Sequence, residues 1–335
     1  MVSPGVIEFR EVSAPRIGPG DVLIKVKRIG ICGSDIHVYH GLHPFTSYPV
    51  VQGHEFSGQV EAVGEGVDAV RPGDKVTATP QIVCGKCRPC LRGDYHICDS
   101  LRVEGFQAPG CAQELFVTSA ERTVRLPDQF TFEQGAMVEP TAVAVHAVSR
   151  AGAVSGRNVV VLGAGPIGNL VAQVARAGGA NVLITDLSDF RLGIAQQCQL
   201  LHTSNAKQEQ LAAAARRVFG ENGFDIAFEC VGVEATLSAA VETIGKGGTV
   251  VVVGVFGEKP PVAMGLVQDR ELTLVGTLMY RYHDYEQAVA LMSSGDVVTS
   301  PLETKHFPFE QYADAYKFID RHREECMKVF VDVSL

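Results

Sequence analysis

Four cysteines lie within one short stretch of this 335-residue chain, at Cys84, Cys87, Cys90 and Cys98. Their spacing, C-x2-C-x2-C-x7-C, lets a single loop wrap a tetrahedral ion with every position filled by a thiolate, as in a structural zinc site. A set of disulfides is the alternative, but it is disfavoured if the protein resides in a reducing compartment. The stretch therefore predicts a structural metal site.

A second set of possible metal ligands is dispersed along the chain. Cys32 stands in GICGSD, His54 and Glu55 in GHEFSG, and Glu139 in MVEPTAV. A catalytic zinc uses about three protein ligands and leaves one position for water or substrate. Spacing alone does not show that these four residues converge, and a buried thiol with ordinary surface acids is the alternative.

A glycine-rich segment predicts a nucleotide site. A β-branched run, NVVVL, leads into Gly163-Ala-Gly165-Pro166-Ile167-Gly168 and then into a helical pattern. In this strand-turn-helix context the first two glycines allow a tight turn and close approach of a pyrophosphate, and the third lets helix and strand pack. The helix N-terminus then faces the phosphates.

The next strand, NVLITD, ends in Asp186. A carboxylate there can accept hydrogen bonds from the adenosine ribose hydroxyls and would repel a 2'-phosphate, so the sequence favours NAD over NADP. Arg191 follows closely and lines the adenine side or caps a helix face. The alternative is that the glycines only turn the chain and that Asp186 is a solvated acid at a strand end.

Two kinds of secondary-structure pattern position these residues. Short β-branched runs broken by Gly, Pro and Asp fill residues 22–76 and predict a β-rich lobe. After Gly152, apolar strand-like runs alternate with helical segments, which predicts a doubly wound parallel sheet. The fold class is therefore α/β with a second, β-rich lobe, to which the last 55 or so residues are expected to return.

Composition limits the function. Hydrophobic residues at 46% and charged residues at 20% are typical of a globular chain with packed cores. The net charge of -9, without a long basic run, argues against nucleic acid or anionic membrane as a partner and favours a small-molecule ligand. No apolar run reaches the roughly 18 residues of a membrane helix, and the start, MVSPGVIEFREV, lacks a signal-peptide pattern. We expect a cytoplasmic protein.

Taken together, these motifs resemble the zinc-containing medium-chain alcohol dehydrogenases. GICGSDIH, GHEFSGQVEAVGEGV, the four-cysteine loop, VEP and GAGPIG occur in the order of that family and cover nearly the whole chain. Glu139 in VEP, DLS after the second nucleotide strand, and Arg281-Tyr282 are similar to the sorbitol-type polyol branch. The loop HPFTSYPVVQGHE is similar to sugar-acid dehydrogenases of that branch.

The resemblance implies a GroES-like catalytic domain over residues 1–146 and 277–335 and a Rossmann domain over residues 147–276. It also implies a homo-oligomer, with a tetramer as the expectation. Members of the family usually begin with an extra strand before the segment that matches GVIEFREV. Because this sequence has only MVSP there, we expect that strand to be missing or trimmed.

The resemblance also implies roles for individual residues. Cys32, His54 and one or both of Glu55 and Glu139 would hold the catalytic zinc. Ser34 and His37 would form a proton relay through the cofactor ribose, with Glu55 as a further catalytic residue. The positions expected along the nicotinamide are Cys230, Val231, Gly232, Val253, Gly254, Leu278 and Met279.

A carboxylate in place of a thiolate ligand leaves zinc less electron-rich and more open to extra oxygen ligands, which suits a vicinal diol. The expected reaction is therefore NAD-linked oxidation of a secondary alcohol of a polyol or sugar-like substrate to a ketone. A sugar-acid or threonine-type dehydrogenase and a non-catalytic relative are the alternatives. Candidate pocket walls are Phe45, Tyr48, Phe106, Met279 and Arg281. If the substrate carries a carboxylate or phosphate, Arg281 is the side chain to test for pairing with it.

Overall fold

The computed structural model describes residues 1–333, which fold as two compact units. The first contains Met1–Glu139, Arg281–Val289 and the described residues from Glu303 onward, and the second contains Pro140–Tyr280 and Ala290–Leu302. The sequence-based limits at 146/147 and 276/277 remain a prediction. Ser334 and Leu335, which those limits include, lie outside the described residues.

The strands, in chain order, are β1 (Asp21–Ile31), β2 (Glu55–Val63), β3 (Lys75–Ala78), β4 (Gln81–Ile82), β5 (Arg102–Val103), β6 (Leu115–Ser119), β7 (Thr123–Arg125), β8 (Asn158–Leu162), β9 (Asn181–Asp186), β10 (His202–Asn205), β11 (Ile226–Glu229), β12 (Thr249–Val252), β13 (Thr273–Gly276), β14 (Glu303–Pro308) and β15 (Lys328–Asp332).

The α-helices are α1 (Gly33–Tyr39), α2 (Arg88–Leu91), α3 (Phe132–Ala136), α4 (Val138–Arg150), α5 (Pro166–Ala177), α6 (Asp189–Gln197), α7 (Leu211–Phe219), α8 (Glu234–Thr243), α9 (Met264–Asp269), α10 (Tyr282–Ser294) and α11 (Tyr312–Arg321). Short 3-10 turns lie at Tyr95–Ile97, Ala120–Arg122, Gly220–Asn222, Ser300–Leu302 and Phe309–Gln311.

The first unit is built on a seven-stranded sheet in the order β14-β15-β1-β2-β3-β7, with β6 also paired to β1. In the first half of β1 every second side chain is fully buried, at Val22, Ile24 and Val26, so one face of the strand packs into the core. The buried face is closed by aromatic residues of α11, among them Tyr312 and Tyr316. A separate pair, β4 and β5, forms beside the four-cysteine loop.

The second unit contains a six-stranded sheet in the order β10-β9-β8-β11-β12-β13, in which every neighbouring pair is parallel. With its strands numbered along the chain, this is the order 3-2-1-4-5-6 of dinucleotide-binding folds. Val159, Val160 and Val161 of β8 are fully buried, as expected for a parallel sheet covered on both faces. The predicted doubly wound α/β sheet is confirmed.

Residues 290–302 belong to the second unit because α5 binds them. Gln173 donates to the Val298 carbonyl (3.0 Å) and accepts from the Val298 amide (2.7 Å). Arg176 donates to the Asp296 carbonyl (2.6 Å). After Val289 the chain therefore goes back to the second unit and joins the first unit again only at Glu303, which the sequence did not predict.

Between Met1 and Gly20 the chain forms no strand, and its only bridge there pairs Ser3 with Val6. Among residues 1–333, no helix combines the length and the hydropathy that crossing a membrane requires.

Candidate functional site

The four cysteines converge as their spacing predicted. The sulfur atoms of Cys84, Cys87, Cys90 and Cys98 all lie within 4.8 Å of one another, with Cys87 Sγ 3.3 Å from Cys90 Sγ and 3.8 Å from Cys98 Sγ. These separations exceed the roughly 2.05 Å of a disulfide, and all four thiols are free. Four sulfurs gathered around one point are the donor set of a structural zinc site, so the residues fit that metal.

Main-chain amides also point at the sulfurs of this cluster. The amide of Cys87 donates to Cys84 Sγ (3.3 Å), and the amides of Cys84 and Ser100 donate to Cys98 Sγ (3.3 and 3.4 Å). Hydrogen bonds of this kind favour the charged thiolate, which is the form that binds metal.

Arg281 binds a residue of the four-cysteine loop. Its guanidinium donates to Asp94 Oδ1 at 2.6 Å, and the amide of Tyr282 donates to the Tyr95 hydroxyl at 2.6 Å. Asp94 also pairs with Arg92 at 3.0 Å. A carboxylate inside the four-cysteine loop thus binds the guanidinium in this structure, and the pairing of Arg281 with a substrate anion stays a prediction.

A second cluster joins Cys32, His54 and Glu55, whose ligand atoms all lie within 4.8 Å of one another. Cys32 follows β1 and caps α1, while His54 and Glu55 stand at the start of β2. Because β1 and β2 are antiparallel and Gly30 is opposite Glu55, the end of one strand meets the beginning of the other. A thiolate, an imidazole and a carboxylate are a donor set that zinc accepts.

Asp35 lies behind this cluster and is buried. Its Oδ2 accepts from the Cys32 amide at 3.0 Å, and its Oδ1 lies 3.5 Å from His54 Nδ1. Burial alone would lower the pKa of His54, but Asp35 and then Cys32 outweigh it and raise that pKa well above its ordinary value. A carboxylate behind an imidazole fixes the ring orientation and makes the ring a better ligand.

Glu55 forms a buried ion pair with Lys328, whose ammonium donates to Oε1 at 2.8 Å and to Oε2 at 2.6 Å. Burial alone would lower the pKa of Lys328, but surrounding negative groups, Glu55 first and Glu139 among them, raise it. Gly30 makes room for this pair, because a β-carbon there would lie 2.4 Å from Glu55 Oε2. Glu139 is itself buried in the first turn of α4.

The proposed relay residues lie on α1, where Ser34 is half-buried and His37 is exposed. They are three positions apart, so they share one face of the helix. Burial lowers the pKa of His43, and the nearby His37 lowers it further. The sequence interpretation assigned no role to His43.

Of the candidate pocket walls, Phe106 is buried and its ring lies 4.9 Å from that of His54 and 4.7 Å from that of His43. Phe45 is 75% exposed, and the Tyr48 hydroxyl donates to the Val38 carbonyl. Phe106 is therefore the aromatic candidate that contacts the second cluster.

The glycine turn has the geometry that phosphate binding requires. Gly163 has a φ of +98°, and a β-carbon at Gly168 would lie 1.9 Å from the Gly163 carbonyl oxygen, so both positions need glycine for packing. At Gly165, apart from the adjacent residues of the chain, the one heavy atom of residues 1–333 within 4 Å of such a carbon is Arg191 Nη1, at 3.9 Å. Gly165 therefore leaves open space at the N-terminus of α5, which begins with Pro166 and Ile167 and where an anion would be stabilised.

Asp186 lies beside this turn. Its Oδ2 accepts from the Ala164 amide at 2.7 Å, its Oδ1 accepts from the Ser188 amide at 2.9 Å, and Arg191 Nη1 is 3.9 Å from Oδ2. The carboxylate thus stands at the end of β9 next to the phosphate turn.

The remaining positions that the sequence predicted along the cofactor lie on three segments of the second unit. Val231 and Leu278 are more than 40% exposed, and Met279 adopts a positive φ of 51°, which is uncommon for a residue with a β-carbon. The other members of this set are Cys230, Gly232, Val253 and Gly254, in the loops after β11 and β12.

Sequence reasoning missed three buried charged residues that hold these sites. Asp35 stood inside the quoted GICGSD motif without a role, and its position three residues after Cys32 was an available signal. Glu229 directly precedes Cys230. Lys328 gave no signal, because its partner Glu55 is 273 residues away in the sequence.

Family models match most of the chain. Residues 18–128 match the "Alcohol dehydrogenase GroES-like domain" and residues 166–294 match the "Zinc-binding dehydrogenase" model. Together they agree with the predicted GroES-like and nucleotide-binding parts of the fold.

Curated relatives and solved structures match over nearly the full length. A 2-dehydro-3-deoxy-L-galactonate 5-dehydrogenase of Pseudoalteromonas atlantica is 35% identical, covering 97% of this chain and 96% of that protein. Sorbitol dehydrogenase 2 of Saccharomyces cerevisiae is 36% identical over 98% of this chain and 95% of its own. An Escherichia coli structure, described as a short chain alcohol dehydrogenase complexed with NADH, has a TM-score of 0.91 and 29% identity, covering 99% of this chain and 97% of that one.

Proposed function

The chain belongs to the zinc-binding alcohol dehydrogenase family, and on that premise we propose that it oxidises a secondary alcohol of a polyol or sugar-derived substrate to a ketone, with NAD as hydride acceptor. The observation that carries this proposal is the cluster of Cys32, His54 and Glu55. It supplies three different ligand types at one point, and the same chain carries a complete phosphate-binding turn.

We assign Cys32 and His54 to the catalytic zinc, with a carboxylate from Glu55 or Glu139 as the third ligand. When bound, zinc supplies Lewis-acid stabilisation of negative charge on the alcohol oxygen of a substrate. The four cysteines of the loop at Cys84 would hold a second, structural zinc, with no position left for substrate.

The chain's own residues then handle the proton. Ser34 is half-buried on α1 and would accept the proton of the alcohol, and the exposed His37 would pass it to water. Asp35 would keep the His54 ring in a fixed orientation. Phe106 packs against that ring and would keep water from the buried side of the cluster.

The cofactor would bind at the glycine turn, with its pyrophosphate over Gly165 at the N-terminus of α5. Asp186 would accept hydrogen bonds from the adenosine ribose and repel a 2'-phosphate, which supports NAD over NADP. Asp186 carries this choice by itself, because solved relatives of equal similarity contain NADH in one case and NADP in another.

A polyol is the first substrate candidate, because a vicinal diol can offer two oxygens to a zinc ion with a carboxylate ligand. The sorbitol dehydrogenase relative supports this class. A sugar acid is the second candidate, supported by the galactonate-type relative. A threonine-type substrate remains a further alternative. Arg281 would bind the carboxylate of a sugar acid in place of, or together with, its contact to Asp94.

We also propose that the protein works as a homotetramer in the cytoplasm. The family resemblance supports the tetramer, and the nine cysteines, all of them free thiols, suit a reducing compartment. Light scattering coupled to gel filtration tests the tetramer, and a mass corresponding to one or two chains would contradict it.

Zinc content and NAD reduction test the function directly. Purified protein is assayed with polyols, aldonates, sugar phosphates, threonine and simple alcohols, beside Cys32→Ser and the control Cys198→Ser, a buried thiol outside both clusters. We expect two zincs per chain and turnover of one polyol or aldonate, lost in Cys32→Ser and kept in Cys198→Ser. Zinc at the four-cysteine site alone, without turnover of any alcohol, would indicate a non-catalytic relative.

A further inference from the structure

Two loops in the second unit lie against each other main chain to main chain. One follows β11 and contains Gly232, and the other follows β12 and contains Gly254. A β-carbon at Gly254 would lie 2.2 Å from the Gly232 amide nitrogen, and one at Gly232 would lie 2.5 Å from the Val255 carbonyl oxygen. No side chain fits between the loops, so their spacing is set by backbone contact and by whatever holds each loop in place.

Glu229, the last residue of β11, holds both loops. Its side-chain oxygen Oε1 accepts from the amides of Val231 and Gly232, both at 2.9 Å, and from the Thr236 hydroxyl at 2.7 Å. Its carbonyl oxygen accepts from the amides of Val253 and Gly254, both at 2.8 Å. A single residue therefore binds two amides of each loop.

The side chain of Glu229 is fully buried, which is uncommon for a glutamate. Its second oxygen, Oε2, has no hydrogen-bond partner among the described residues and lies 2.8 Å from where a β-carbon at Gly254 would stand. Glycine at 254 is thus required for the carboxylate to fit. Three donors bound to one side-chain oxygen hold the first loop at fixed points, which suits a loop that must not move.

We propose that Glu229 is a positioning residue that sets the nicotinamide side of the cofactor site. This inference rests on the proposed function, in which Val231, Gly232, Val253 and Gly254 line the nicotinamide. Glu229 acts through those backbone segments and does not itself touch the cofactor. The pyrophosphate turn packs against the first of these loops, since a β-carbon at Gly163 would lie 2.7 Å from Val231 Cγ2. It also has a support of its own in the Ala164 amide, which donates to Asp186, so we expect the adenosine side of the site to depend less on Glu229 than the nicotinamide side.

Two ligands allow binding at the nicotinamide side of the site to be measured apart from binding at the adenosine side. NADH contains the nicotinamide, whereas ADP-ribose carries the same adenosine and pyrophosphate without it. Dissociation constants of both, from NADH fluorescence and calorimetry, are measured on the zinc-loaded wild type and on Glu229→Ala, Glu229→Gln and Thr236→Val. The control is Glu242→Gln, since Glu242 is exposed near the C-terminal end of α8, whereas the loop that contains Gly232 precedes the N-terminus of that helix.

We expect Glu229→Ala to weaken NADH binding at least about tenfold, because the amides of Val231 and Gly232 lose their shared acceptor and the first loop loses its anchor. ADP-ribose binding should stay within about twofold of the wild type. Glu229→Gln keeps one acceptor oxygen and should recover part of the loss. If Glu229→Ala fails to fold, Thr236→Val should show a smaller loss of about two- to threefold, again confined to NADH.

Equal weakening of both ligands in Glu229→Ala and Glu229→Gln would mean a general structural role and would overturn the inference. Unchanged NADH binding in these variants would overturn it as well, while leaving the proposed function intact. A wild type that binds neither NADH nor ADP-ribose would overturn the proposed function and this inference with it.

Discussion

Glu55 is a residue on which two chemical roles compete. It lies within metal-binding distance of Cys32 and His54, yet both of its oxygens accept from the Lys328 ammonium. A carboxylate in such a pair loses most of its attraction for a cation, while breaking the pair leaves a buried charge without a partner. Glu139 is a second buried carboxylate that raises the pKa of Lys328.

We therefore predict that Glu139→Gln loses more of the catalytic zinc than Glu55→Gln. Zinc per chain is measured by atomic emission after dialysis against a weak chelator, and the four-cysteine zinc serves as the internal reference. The opposite order, with the larger loss in Glu55→Gln, would make Glu55 the direct ligand.

Glu104 gives a prediction for pH. Burial raises its pKa to about 7, although Arg122 at 2.6 Å acts in the opposite direction. Between its ordinary value of 4.5 and about 7, the folded chain keeps a proton that the unfolded chain has released. The folded state binds more protons in that window, so the free energy of unfolding falls as the pH rises through it.

The matched variant is Glu104→Gln, which cannot titrate. We expect the free energy of unfolding of the wild type, relative to this variant, to fall between about pH 5 and about pH 8 in urea titrations. Glu65→Gln, at an exposed position, serves as the control and should show a flat difference. A flat difference for Glu104→Gln as well would mean that the Arg122 pair, and not burial, controls the carboxyl.

What the sequence could predict at this scale depended on distance along the chain. The four cysteines stand within fifteen residues, so spacing alone predicted their convergence. Cys32 and His54 were placed together only through the family resemblance. The pairs of Lys328 with Glu55 and of Arg281 with Asp94 join residues 273 and 187 positions apart, and no local pattern reports such contacts.

At the scale of elements, the turn from β8 into α5 contains one glycine that packing requires and another that leaves room for a ligand. Gly168 has no room for a β-carbon, which would lie 1.9 Å from the Gly163 carbonyl oxygen. Gly165 has room and an ordinary φ of -63°. The two glycines are thus required for different reasons, although they stand in one motif.

We predict that adding one methyl group lowers stability at Gly168 but weakens cofactor binding at Gly165. Gly168→Ala should lower the free energy of unfolding by about 1–3 kcal/mol or more through overpacking. Gly165→Ala should change it by less than about 1 kcal/mol and weaken NADH binding at least about tenfold, because the methyl group occupies the approach of the pyrophosphate. Urea titration and NADH fluorescence measure both. Normal NADH binding by Gly165→Ala would place the cofactor elsewhere.

Strand order in the second unit was predictable because its strands are continuous apolar runs separated by helical patterns, and parallel connections obey a fixed hand. The first unit was harder. Its sheet takes β14 and β15 from late in the sequence and places β15 against β1. Such pairing is decided by tertiary packing and not by local propensity.

At the scale of the whole molecule, each unit buries its own core. The first packs around Ile24, Phe56 and Tyr316, and the second around Val160, Phe224 and Val250. The four-cysteine loop belongs to the first unit. A mutation in that loop should therefore destabilise mainly the first unit.

We predict that Cys87→Ser removes one zinc per chain and speeds hydrogen exchange in residues 80–105 and the adjoining strands of the first unit, while β8 to β12 keep their protection. A structural zinc contributes directly to the stability of the loop that holds it. Mass spectrometry of exchanged peptides measures the effect, with Cys198→Ser as the control thiol in the second unit. Equal loss of protection in both units would show that they unfold as one.

The buried pair of Glu55 and Lys328 also has a consequence for synthesis on the ribosome. Glu55 emerges early and Lys328 only after another 272 residues have been translated, and β15, which carries the lysine, completes its sheet at the same late moment. Until then the nascent chain exposes a cysteine, a histidine and a carboxylate without their counter-charge. A cation captured at that stage would meet ligands that the sheet does not yet hold in place, so we expect selective metal binding only after Lys328 has been translated.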